Sequence, residues 1–191
     1  MSSSVKQSSQ ESLQIKLGPS GRPIAQPMDT SLVEALSEHI TMERFASEQY
    51  FANSIWSAQR EFRGFSKYFY EESGSEREHS ALFANYLNAR GQIANLENLL
   101  APKQNFSSIL DVIANSFQLE ADITTSLLQI YSIAERSNDT RTTVFLDPII
   151  ENQTKSEDEF AYLYGKVNFS IDDCSALLLI DQELFASNVY K

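Results

Sequence analysis

Glu76 and His79 are separated by two residues, and Glu72 stands one further helical turn before Glu76. On a helix these spacings put all three side chains on one face. The same face continues through Phe65, Phe69, Phe83 and Tyr86, so bulky apolar residues bracket three ionisable ones. Carboxylates do not ordinarily sit on an inward stripe, because desolvating an unpaired charge costs several kcal/mol or more. A divalent cation is the most effective compensation for carboxylates and an imidazole on the inside of a helix. Glu-x-x-His pairs on bundle helices present such ligands to iron or manganese.

Composition bounds the rest of the chemistry. The chain has 191 residues, enough for one sizeable domain, and a formal net charge of −11. That charge argues against non-specific nucleic-acid binding and suits a soluble protein that attracts cations. A single cysteine, Cys174, rules out an internal disulfide framework and any cysteine-based cluster within one chain. No run approaches the ~18 apolar residues of a membrane helix. Metal ligands must therefore be oxygens and at most two histidines, His39 and His79. Such a hard set suits iron or manganese better than structural zinc.

The remaining pattern is helical. Residues 1–27 hold seven of the serines and three of the five prolines with little apolar periodicity, and read as a flexible tail before a domain spanning 28–191. The tail lacks a signal-peptide core; its Ser-rich, acid-poor start is compatible with a plastid transit-peptide remnant, the alternative to a cytoplasmic protein. A first helix is expected from Thr30 or Ser31 to Arg60, with Asp29, Thr30 and Ser31 offering caps and Ser31 and Glu34 in capping-box spacing. Its inward stripe is Leu36, Ile40, Glu43, Ser47, Tyr50 and Ser54; His39 lies off it and reads as a surface or interface residue. After a turn through Phe62 to Phe65, a second helix runs to Ala89, with Gly74 inside it. Residues 92–105 are too many for a tight turn and suggest a crossover along a bundle. A third helix runs from Ser107 to Arg136, with Glu120 the one charge on its stripe. A fourth reaches Lys166; at Pro148 it either kinks or restarts, with Asp147 as cap. A short fifth helix is expected from Ile171 to Ser187.

Each long helix thus has a polar break in its apolar stripe: Glu43, then Glu72, Glu76 and His79, then Glu120, then Gln153 and Ser156. In an antiparallel bundle with a crossover these breaks can meet at mid-height. Glu76 could bridge two metals, with Glu43 and His79 completing one site and Glu120 the other. From the fourth helix, Gln153 qualifies by its place on the stripe and Glu157 by its charge. A site short of protein ligands leaves room for dioxygen.

Glu43 and Tyr50 on the first helix, Ser75 through Ser80 on the second and Glu120 on the third resemble the ferroxidase centre of the ferritins. The resemblance extends over roughly Ser31 to Leu184, including the crossover and the closing run from Leu178 to Leu184. It implies an all-α fold: a ferritin-like antiparallel four-helix bundle with a long crossover between helices two and three and a short C-terminal fifth helix. It implies iron storage as well. Fe(II) is oxidised by dioxygen at an intrasubunit di-iron centre, and a ferric mineral is kept inside a twenty-four-subunit shell. Tyr50 corresponds to a tyrosine that can donate an electron during oxygen reduction; without the resemblance it reads as a packed core residue. Ferritin-like shells have three-fold channels near the start of the fourth helix. Asp147 and Glu151 are candidates there, although Asp147 also suits a helix cap.

Several positions depart from family patterns. Bacterioferritins carry a haem-binding methionine between the Glu and His of this motif; here Arg77 and Glu78 intervene, and haem is not expected. The carboxylates that build a third iron site in many bacterial ferritins are replaced by Ser75, Asn152, Lys155 and Ser156. Glu72 could hold iron in transit, or be a solvated carboxylate. A substrate-oxidising di-iron oxidase or peroxidase is the rival reading, yet such enzymes usually carry two Glu-x-x-His motifs and this chain has one. A non-catalytic cage subunit is a third.

Overall fold

The computed structural model describes residues 15–170 and 172–186. Their chain order is α1 (Thr30–Ala58), α2 (Arg63–Ala89), α3 (Ile109–Arg136), α4 (Thr140–Phe169) and α5 (Cys174–Ala186). The architecture is the expected four-helix bundle with a long crossover and a short closing helix.

Two helical hairpins make the bundle, α1 with α2 and α3 with α4, and α1 packs on α3. Small side chains set the α1–α2 approach. Ser47 Oγ donates to the Ser73 carbonyl at 2.7 Å and Ser54 Oγ to the Ser66 carbonyl at 2.8 Å. The distance between packed helices follows the side chains at their contact, so serines bring these two backbones close. The crossover climbs alongside α1. Arg44 donates to the Glu97 carbonyl, Gln49 donates to and accepts from the Lys103 backbone, and Phe106 packs on Trp56. α3 therefore starts beside the end of α1 and runs back against it, pairing Asn53 with Ser116, Tyr50 with Glu120 and His39 with Ser126. At the other end Arg90, just past α2, makes a two-pronged pair with Asp139, the N-cap of α4.

Several local expectations shift. Of the capping residues offered at the start of α1 it is Asp29 that caps, its carboxylate accepting from Ser31 N at 2.9 Å, and the Ser31 capping box is not used. α2 begins at Arg63 and includes Gly64, because Glu61, with φ of 64°, takes the left-handed turn position. α4 is one helix running through Pro148, capped at Asp139, so it does not restart at Asp147. The expected ends of the fifth helix, Ile171 and Ser187, lie outside the described residues.

Part of the segment expected as a tail is described. Leu17 pairs with Pro23 in an isolated antiparallel bridge, and Ser20 donates to the Gly91 carbonyl through its N–H at 3.1 Å and its Oγ at 2.9 Å. Gly91 has φ of 73°, and a Cβ there would lie 2.4 Å from Ile24 Cγ2. Residues 1–14 of that segment lie outside the described ones.

Candidate metal centre

The polar breaks converge. Glu43 (α1) and Glu76 (α2) are buried, and His79 (α2) is 46 % exposed by side chain. One ligand atom from each lies within 4.8 Å of the others. His79 Nδ1 is 3.0 Å from Glu76 Oε2 and 4.0 Å from Glu43 Oε2. Two carboxylates and an imidazole on this spacing could hold a metal ion. Glu43 Oε2 is also a buried oxygen without a hydrogen-bond partner, which a cation would satisfy.

Glu120 enters from α3, fully buried. Tyr50 Oη donates to its Oε1, and Gln153 Nε2 of α4 donates to its Oε2 at 2.7 Å. The Tyr50 ring lies near-parallel to Phe69 at 6.1 Å and to Phe160 at 5.5 Å, so aromatic packing helps to hold the phenol toward Glu120.

The electrostatics are those of acids crowded together in low dielectric. Burial raises Glu43, and raises Glu120 to about 7 with Glu76 adding to it. Burial pushes Glu76 up to about 8, while the hydrogen bond to Glu76 pulls His79 up to about 9. The two shifts oppose each other, since a protonated Glu76 would no longer hold a proton on His79. The half-exposed imidazole is the cheaper seat for a shared charge, so at neutral pH we place the proton on His79 and the anion on Glu76. Burial raises the Tyr50 phenol well above its ordinary range, and it stays protonated.

Other residues singled out from the sequence lie around this centre. Glu72, one turn from Glu76, is raised to about 8 by burial and then by Glu159, a neighbour on α4 not picked out from sequence. Glu157 is turned to Thr124 Oγ1 of α3, so of the two fourth-helix candidates it is Gln153 that reaches Glu120. Asp147 interacts with Tyr131. Glu151 is largely exposed and pairs with Lys155 at 3.7 Å.

His39 is the correction. It was expected at a surface or interface, yet it is fully buried, with Nε2 2.9 Å from Glu43 Oε1 and Nδ1 2.9 Å from Ser126 Oγ. Burial lowers its pKa to about 4, so the ring is neutral. A stripe stepping through Leu32, Leu36, His39, Glu43, Ala46 and Tyr50, all buried, would have included it.

A sequence profile described as "Ferritin-like domain" matches residues 33–169. The bacterial non-heme ferritin of Staphylococcus haemolyticus is 30 % identical over 159 residues, covering 83 % of this chain and 96 % of that protein. The Staphylococcus epidermidis protein of the same name is 31 % identical over the same coverage. Among solved structures, apo-ferritin from Pseudo-nitzschia multiseries aligns with a TM-score of 0.79 at 29 % identity, covering 81 % of this chain and 99 % of that one. An engineered closed form of Archaeoglobus fulgidus ferritin shares the fold, with a TM-score of 0.82 at 21 % identity over 85 % of this chain and 99 % of that one. With its profile, its relatives and its bundle in agreement, the chain belongs to the ferritin family.

Proposed function

We propose that this protein stores iron, oxidising Fe(II) with dioxygen at an intrasubunit centre and depositing the ferric product inside a shell of twenty-four copies. The observation that carries this reading is the cluster of buried Glu43 and Glu76 with half-exposed His79, and Glu120 held nearby by Tyr50 and Gln153. Names of relatives as non-heme ferritins support the storage role.

Fe(II) is the substrate. Each of two ions loses one electron, and dioxygen takes both electrons with two protons. Glu76, close to both Glu43 and His79, offers its oxygens to both metal positions. Glu43 and His79 complete one position. Glu120 serves the second, steadied from α4 by Gln153. Binding displaces the protons this cluster retains in the metal-free protein, the one on His79 among them. Tyr50 can supply a further electron, because Glu120 stands in hydrogen-bond contact to take its phenolic proton as the ring oxidises. Glu72 hands iron onward, while Asp147 and Glu151 lie on the route by which cations arrive; the net charge of −11 favours that traffic. Among the described residues no helix is long and apolar enough to cross a membrane.

The test is rapid-mixing absorbance on metal-free protein, with about two Fe(II) per chain added in aerobic buffer. A fast phase that saturates at that ratio is expected. Oxidation no faster than iron in buffer alone would overturn the ferroxidase reading and leave a non-catalytic cage subunit. Turnover of an organic substrate without mineral formation would point instead to a di-iron oxidase.

A further inference from the structure

We infer that His39 is a positioning residue for the metal centre: it engages one oxygen of Glu43 so that the other is presented to Glu76 and His79. The inference rests on reading the cluster as a metal centre, and goes beyond it by naming what sets the orientation of one ligand.

The two oxygens of Glu43 have different surroundings. Oε1 lies 2.9 Å from His39 Nε2. Oε2 lies on the other side, 4.0 Å from His79 Nδ1, buried and without a hydrogen-bond partner. His39 cannot itself join the cluster as drawn, since the mutually close ligand atoms come from Glu43, Glu76 and His79. Its ring is fixed on three sides. Nδ1 is 2.9 Å from Ser126 Oγ on α3, the ring edge meets Phe83 of α2 with centroids 4.4 Å apart, and its own backbone is one turn before Glu43.

The hydrogen-bond logic selects one tautomer. A carboxylate only accepts, so the neutral ring must place its proton on Nε2 to serve Glu43. Nδ1 then carries the lone pair and accepts from the Ser126 hydroxyl. The 2.9 Å approach of Nε2 to Oε1 is off the hydrogen-bond line, and Nε2 is left without a partner by angle. A buried donor beside a buried carboxylate is satisfied by a small rotation of that carboxylate, the adjustment a ligand makes as it takes a cation. His39 thereby commits Glu43 to offering a single oxygen. Partners of this outer kind typically contribute 10–100-fold to metal affinity.

Cobalt(II) titrated into the metal-free protein without oxygen tests this, because its visible absorption reports coordination number as well as occupancy. His39→Ala is expected to weaken cobalt binding by about 10–100-fold and to change the band intensity at saturation as Glu43 becomes free to bind through both oxygens. His39→Gln, whose amide N–H reaches the same oxygen, is expected to restore both. Ser126→Ala, which frees the ring from α3, is expected to shift both in the direction of His39→Ala and keeps the test open if that variant does not fold. Unchanged affinity and unchanged bands in the folded His39→Ala variant, or in Ser126→Ala where His39→Ala does not fold, would overturn the inference. Loss of affinity without rescue in His39→Gln would overturn it too, leaving packing as the role. No cobalt bands in the unsubstituted protein would overturn the metal-centre reading itself, and this inference with it.

Discussion

Tyr50 on α1 donates its phenolic proton to Glu120 on α3, across the interior of the bundle. Under the proposed function the contact joins the electron-donating residue to a ligand, Glu120, whose carboxyl is raised by burial and by Glu76. Tyr50→Phe keeps the ring packed on Phe69 and Phe160 and removes only the hydroxyl. It leaves one buried oxygen of Glu120 without its donor, a loss of about 1–3 kcal/mol. Iron binding and the first oxidation phase are expected to survive, and the later phases to change. Stopped-flow traces identical to the parent at every stage would reduce Tyr50 to packing.

Glu76→Ala is expected to abolish the fast oxidation phase and to spare the fold. Glu76 lies close to both His79 and Glu43, so under the proposed function its loss would deprive both metal positions of a common ligand. The metal-free protein does not suffer equally, because Glu76 raises both Glu120 and Glu72. Removing it relieves that crowding. Circular dichroism should match the parent, with a thermal midpoint no lower than the parent's by more than the cavity term. A retained fast phase would mean that the ligands have been misassigned.

The same crowding predicts how stability depends on pH. Glu72 and Glu120 are raised by burial from an ordinary 4.5 to about 8 and about 7. A group whose folded pKa is raised holds its proton more tightly in the native state. Its stabilising contribution is complete below the unfolded value and is lost as pH rises through the folded one. His39, lowered to about 4, contributes in the opposite sense: its share is present above 6.5 and is lost as pH falls through about 4. The metal-free protein should therefore lose thermal stability between about pH 5 and 8. Bound cations favour the ionised acids and should flatten or reverse that slope. Midpoints measured with and without cobalt(II) across this range check it, and a metal-free midpoint that climbs steadily to pH 8 would contradict it.

Much of this was legible from spacing alone. Glu43, Glu76 and Glu120 announce themselves because each is the one kind of residue an apolar stripe should not contain, and all three are buried. The crossover was legible from its length. His39 was not, because a stripe drawn through Ile40 and Glu43 treats a helix face as a line, whereas the buried face of α1 is broad enough to include both His39 and Ile40. The partnership of Glu72 with Glu159 was hidden for another reason: it depends on how α4 is rotated against α2, which no local pattern fixes. Gly64 misled in a third way. It reads as a turn residue, yet its lack of a side chain serves a contact with a helix more than a hundred residues away.

That contact gives the most direct structural prediction. A Cβ on Gly64 would lie 1.7 Å from the Asp181 carbonyl oxygen and 2.9 Å from Phe185 N, both backbone atoms of α5. Backbone cannot step aside as a side-chain tip can. Asp181 Oδ1 also accepts from Phe65 N at 2.9 Å, which supplies an acceptor to one of the otherwise orphaned donors at the start of α2. Gly64→Ala must therefore lift α5 and break that bond together, while the four long helices keep their own contacts. Gly74, in the middle of the same helix, has nothing within 4 Å of its built Cβ. There an alanine gains helix propensity of up to about 1 kcal/mol. The paired expectation is limited proteolysis at residues 170–173 in Gly64→Ala with far-ultraviolet helicity largely retained, against an unchanged digest and a raised thermal midpoint in Gly74→Ala. If Gly64→Ala resists cleavage as well as the parent does, α5 is not held to the bundle by this close approach.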